Sequence, residues 1–139
     1  MTGRSDARLS DRPDEPYRPE GAHVVIGVGM RPGTASSAIV AAVRHALGDA
    51  TLVCLATIDR RGDEPGLRTA AEELGVRVRT FGAAELDAVA VPTPAARTKS
   101  AVGAAGVAEA AAVLGSNWGV LMRAKEIHDD VTVAVALIG

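Results

Sequence analysis

A glycine-rich stretch, Gly27-Val28-Gly29-Met30-Arg31-Pro32-Gly33-Thr34, stands between a short apolar run and a helical pattern. Glycines at a strand-to-helix turn let backbone N–H groups come close to an anion, and the helix N-terminus attracts negative charge. The spacing departs from the dinucleotide fingerprint G-x-G-x-x-G, because the third glycine falls one place late and Pro32 holds its position. It is not a P-loop either, since no Gly-Lys-Ser/Thr follows. A purely local reading has Gly33 making a tight turn and Thr34 capping the helix. Asp59 and Glu64 lie five residues apart on a loop that leads into a second helix. Such a carboxylate pair suits acid–base work or cation binding. Locally, Asp59 would close a turn, and Asp63 or Glu64 would cap the helix that Pro65 opens. Glu109 is expected in the first turn of a later helix, where the dipole alone favours an acid. His23, His45 and His128 show no metal-ligand spacing with one another or with Cys54. Cys54 reads as a buried small hydrophobe in mid-strand. No metal and no cofactor are expected.

Residues 23–28 form a β-branched apolar run, read as a buried strand. Residues 34–47 repeat apolar side chains at Ala38, Ile39, Ala42, Val43, Ala46 and Leu47, one face of a helix closed by Gly48. Residues 51–56 make a second buried strand, and 67–74 a second helix stopped by Gly75. Residues 76–81 alternate with period two, which marks an edge strand. A helical turn is expected at 83–89, a loop at 91–100 and an Ala-rich helix at 107–114. Strands at 118–124 and 131–138 are joined by residues 125–130, too few for a crossover helix, so they should pair antiparallel. The order β-α-β-α-β-α-β-β predicts an α/β fold: a three-layer α/β/α arrangement on a mostly parallel sheet of about five strands, the last antiparallel. Alanine occurs 27 times among 139 residues against three aromatics, so the layers should sit close together.

The 14.2 kDa chain has room for one core. Residues 1–20 hold four Arg, five acids and three Pro, with Leu9 and Tyr17 the only sizeable apolar side chains beyond Met1. They cannot bury enough surface to offset their ordering entropy, so residues 1–21 are expected to be a disordered tail and 22–139 the domain. The formal charge of −2 and the scarcity of aromatics argue against nucleic acid as a partner. No apolar run is long enough for a bilayer, and the first residues lack a signal-peptide core, so no membrane partner and a cytoplasmic location are expected. The sequence leaves the oligomeric state open.

In an open parallel sheet, ligands bind outside the carboxyl ends of the strands. That topology would gather Gly29, Arg31, Gly33, Thr34, Thr57, Asp59, Arg61, Glu64, Ser100, Glu109 and Lys125 on one rim. Asp59, Glu64 and Glu109 are the candidate catalytic groups, and the others would hold the ligand. A nucleotide-binding module built on the glycine turn, and a non-catalytic subunit, are the alternatives.

Taken together, the motifs resemble the CobE protein and the C-terminal domain of CbiG, from cobalamin biosynthesis. The matching pieces occur in order: Gly27-x-Gly29-x-Arg31-x-Gly33-Thr34; Leu55-Ala56-Thr57-Ile58-Asp59 with Glu64-x-Gly66-Leu67; Phe81 followed by Ala84-Glu85-Leu86; Val107-Ala108-Glu109-Ala110-Ala111; and Lys125 with Thr132-Val133-Ala134. The resemblance covers about residues 22–138. It implies a role in building the corrin ring and a carboxylate-rich corrin precursor as partner, with other enzymes of that pathway as further partners. CbiG-type proteins hydrolyse the ring-A lactone of cobalt-precorrin-5A and release acetaldehyde, so Asp59, Glu64 or Glu109 would activate water. Arg31, Arg61, Lys125 and a helix N-terminus would suit the precursor's carboxylates. Residues 1–21 do not match the N-terminal portion of CbiG, so the stand-alone CobE form is expected. Arg61 stands where the family leads one to expect Lys, which keeps the charge and excludes a neutral-amine role.

Overall fold

The computed structural model describes residues 22–89, 103–128 and 130–138, apart from the side chains of 103–105 and 123–125. Residues 1–21, the expected tail, and Ser100 in the expected loop lie outside them.

The elements run β1 (His23–Gly29), α1 (Ser36–Leu47), β2 (Thr51–Ile58), a 3₁₀ turn (Asp59–Arg61), α2 (Pro65–Leu74), β3 (Arg77–Phe81), α3 (Ala83–Asp87), α4 (Gly103–Gly115), β4 (Val120–His128) and β5 (Val131–Leu137). The five-stranded sheet has the order β3-β2-β1-β5-β4. β1, β2 and β3 pair in parallel, while β5 pairs antiparallel with both β1 and β4. Four strands therefore share one direction and the last opposes them, as the sequence order predicted. β3 lies at an edge, and its exposed Arg77 and Arg79 account for the alternation in its sequence.

Period two along β1 splits the core. Val24, Ile26 and Val28 face α1 and α2, where they meet Ile39, Val43, Leu67 and Ala70. Val25 faces the other side, with Cys54, Ala56, Leu86 and the α4 residues Val107, Ala110 and Ala111. Helices thus cover both faces of the sheet. α4 is rich in alanine and glycine because it sits directly on the strands. A Cβ on Gly27 would run into the Ala108 carbonyl, and one on Gly115 would press on Val25 and Ala56. The close layers expected from the small side chains are found here.

Several boundaries differ from the sequence reading. β4 continues to His128, so only residues 129 and 130 separate it from β5. Lys125 and Glu126 were read as part of the connection, but β4 lies at the sheet edge, where charged residues are tolerated and discourage further pairing. α4 starts at Gly103, which puts Glu109 in its second turn instead of its first. α1 starts at Ser36 with Ala35 at the N-cap, so Thr34 does not cap it. α2 begins at Pro65, where the missing N–H costs nothing.

Candidate functional site

The parallel pairing of β1 with β2 brings two loops side by side at the carboxyl ends of the strands: residues 30–35 and residues 59–64. Hydrogen bonds join them. The Gly33 N–H donates to Glu64 Oε1 at 2.9 Å, and Arg61 Nε donates to the Met30 carbonyl at 3.2 Å. The buried Thr57 hydroxyl donates to the Val28 carbonyl at 2.8 Å, tying the end of β2 to that of β1. Within the first loop, Thr34 Oγ1 donates to the Arg31 carbonyl at 2.7 Å. Gly33 takes φ 81, a left-handed conformation that turns its N–H toward Glu64.

Of the residues expected on this rim, Arg31, Gly33, Thr34, Thr57, Arg61 and Glu64 are brought together by these contacts. Gly29 ends β1, buried, opposite Thr132 of β5. Asp59 is exposed and opens the 3₁₀ turn, with its Oδ2 3.6 Å from where a side chain on Gly82 would begin. Its carboxylate makes no hydrogen bond among the described residues. Glu64 holds the N-cap position of α2, yet its side chain bonds to Gly33 and not to that helix. Asp63 turns outward to Arg68 at 3.2 Å. Glu109 is fully buried in α4, on the sheet face opposite α1 and α2. Lys125 lies in β4 three residues before its end.

Two glycines of the turn are already committed. Gly27 admits the backbone of α4, and the Gly33 amide, the group that would cradle a phosphate, holds the Glu64 carboxylate. This arrangement weighs against the nucleotide-binding alternative. Two rim residues were missed as site candidates. Gly66 sits so close to Thr34 that a Cβ would meet its carbonyl oxygen. Thr132 reaches the rim because β5 runs opposite to β1 and starts there. Both were visible in the motifs Glu64-x-Gly66 and Thr132-Val133-Ala134, but nothing in their spacing indicated which loop they faced.

Away from the rim, His45 near the end of α1 stacks on His128 with centroids 5.6 Å apart, and its Nε2 lies 3.9 Å from Glu126 Oε1. No group of three or more His, Cys, Asp or Glu among the described residues could hold a metal ion. No described helix is long and apolar enough to cross a membrane.

The family model for the cobalamin synthesis G C-terminus matches residues 24–136. The chain belongs to the CbiG C-terminal family. A cobalt-precorrin-5A hydrolase from Priestia megaterium is 31% identical over 127 residues, 88% of this chain and 33% of that protein. The chain thus spans a third of that hydrolase's length. Protein CobE from Sinorhizobium sp. is 32% identical over 124 residues, 84% of this chain and 80% of that one. The crystal structure of the cobalamin biosynthesis protein chiG from Agrobacterium tumefaciens str. C58 superposes with a TM-score of 0.65 at 36% identity, covering 84% of this chain and 98% of that chain. The chain thus belongs to a cobalamin-biosynthesis family, CbiG/CobE, and the family match runs across both loops of the rim.

Proposed function

We propose that this CbiG/CobE-type domain binds a carboxylate-rich corrin precursor on the rim made by residues 30–35 and 59–64, and serves the cobalt-precorrin-5A step. The observation that carries this reading is the exposed Arg31, presented by a loop whose backbone is tied at Met30, Arg31 and Gly33. A guanidinium binds a carboxylate through two parallel hydrogen bonds, and peripheral carboxylates are the recurring feature of corrin intermediates. The hydrolase relative links the family to this substrate by its name.

In a hydrolytic version, Asp59 is the candidate base. Glu64 is engaged by Gly33, and Glu109 is shut inside the core, whereas Asp59 is open to solvent. Water would add to the lactone carbonyl, its proton would pass to Asp59, and the ring C–O bond would break to leave a carboxylate and a hydroxyl. That hydroxyl would then lose its proton as the C–C bond joining its carbon to the macrocycle breaks, so that acetaldehyde leaves and the macrocycle keeps the bonding electron pair and takes up a proton. A non-catalytic version, in which the rim holds or hands over the intermediate, is favoured by one observation. No described group hydrogen-bonds the Asp59 carboxylate, so none of the described residues orients it as a base.

Anaerobic incubation with cobalt-precorrin-5A tests both. A change in the corrin absorbance reports binding, and acetaldehyde reports turnover. With the hydrolytic version, Asp59→Asn keeps the absorbance change and loses the acetaldehyde. Binding without acetaldehyde from the unmodified chain supports the holding version. No absorbance change at all overturns the proposal.

A further inference from the structure

Glu64 is spaced from Asp59 like half of a catalytic carboxylate pair, but its contacts give it another task. We propose, building on the rim reading above, that Glu64 is a positioning residue: its carboxylate clamps the turn that presents Arg31 to a carboxylate-bearing ligand, and it does not act on the ligand itself.

The turn is held from three directions. The Met30 carbonyl accepts from Arg61 Nε, the Arg31 carbonyl accepts from Thr34 Oγ1, and the Gly33 N–H donates to Glu64 Oε1 across 31 residues of sequence. Gly66, in the first turn of α2, abuts the Thr34 carbonyl with no room for a Cβ. The backbone on either side of Arg31 is therefore fixed, while its side chain stays exposed. A loop already ordered spares the ligand the entropy of ordering it. Glu64 also forgoes the ordinary use of its place. It is the N-cap residue of α2, yet it makes no side-chain bond to that helix and reaches back to Gly33 instead. Arg61 acts in the same way from the other side, through its Nε on Met30. A clamp needs only an acceptor oxygen at position 64, whereas a base needs the charge. Glutamine supplies the first and lacks the second.

The test compares Glu64→Gln and Glu64→Ala with the unmodified chain. One arm is an anaerobic absorbance titration with cobalt-precorrin-5A, and the other is hydrogen exchange of the Gly33 amide followed by NMR. The Gln variant is expected within about twofold of the unmodified affinity, and the Ala variant weaker by about tenfold, the scale of ordering one loop. Gly33 exchange should stay slow in the Gln variant and speed up in the Ala variant. A Gln variant as weak as Ala, or an Ala variant as tight as the unmodified chain, overturns the proposal. If the unmodified chain gives no spectral change, the corrin reading falls, and the exchange arm decides the clamp alone. Lost Gly33 protection in the Ala variant then upholds the clamp, and unchanged protection overturns it.

Discussion

Cys54 and Glu64 show how far a single residue type can be interpreted before its neighbours are known. Cys54 is buried in β2, as its place in an apolar run predicted, and burial pushes its thiol above the ordinary value of 9.0 against the pull of Arg79 and Arg77. The folded state then holds the thiol proton more tightly than the unfolded chain does. The resulting stabilisation is present below about pH 9 and is lost as pH rises through the folded value. Urea unfolding of the unmodified chain and of Cys54→Ala at about pH 8 and about pH 10 should show the stability difference between them shrinking at the higher pH. A constant difference would show that the thiol keeps its ordinary affinity for the proton. Glu64 was legible as a rim carboxylate at the start of a helix, but its bond to Gly33 was not. The two partners are 31 residues apart, and no local pattern couples them.

Helix α4 is the element whose packing explains the composition. Its alanines 108, 110, 111 and 112 are all buried, and Gly27 on β1 accepts the helix backbone directly. Two glycines of one sequence motif therefore answer to different constraints. At Gly27 the obstacle is the Ala108 carbonyl, which cannot swing aside as a flexible side chain would. Gly27→Ala is expected to cost about 3 kcal/mol or more, because an overpacked rigid contact must part the helix from the sheet. At Gly33 a Cβ would meet nothing within 4 Å, and only the φ of 81 resists it. Gly33→Ala should cost about 1 kcal/mol, the strain of a left-handed residue. Chemical unfolding of the two variants checks the order, and equal losses would contradict the assignment of Gly27 to helix packing. The β4–β5 hairpin teaches a related lesson. Its charged residues 125 and 126 were read as part of the connection, yet an edge strand tolerates charged residues.

At the scale of the whole molecule, the sheet and the helices on its faces supply both sides of the core. Removing residues 1–20 is expected to leave the thermal midpoint within about 1 °C, because a segment with so little apolar surface contributes at most a few tenths of a kcal/mol. A drop of several degrees would show that the segment packs on the domain. The alternation of strand and helix, the edge character of β3, the reversal of the last strand and the small-residue core could all be read from the sequence. The first two rest on side-chain burial, which leaves a local period of two or of 3.6; the reversal rests on a connection too short for a crossover helix, and the small-residue core on composition. Which glycine admits a helix, which amide holds a carboxylate, and which acid is exposed or enclosed were decided only by tertiary structure. Gly27 against Ala108, Gly33 with Glu64, and Glu109 inside α4 all depend on elements distant in sequence. A missing Cβ or a hydrogen-bond partner leaves no periodic trace in the chain, because its cause lies in the element packed against it.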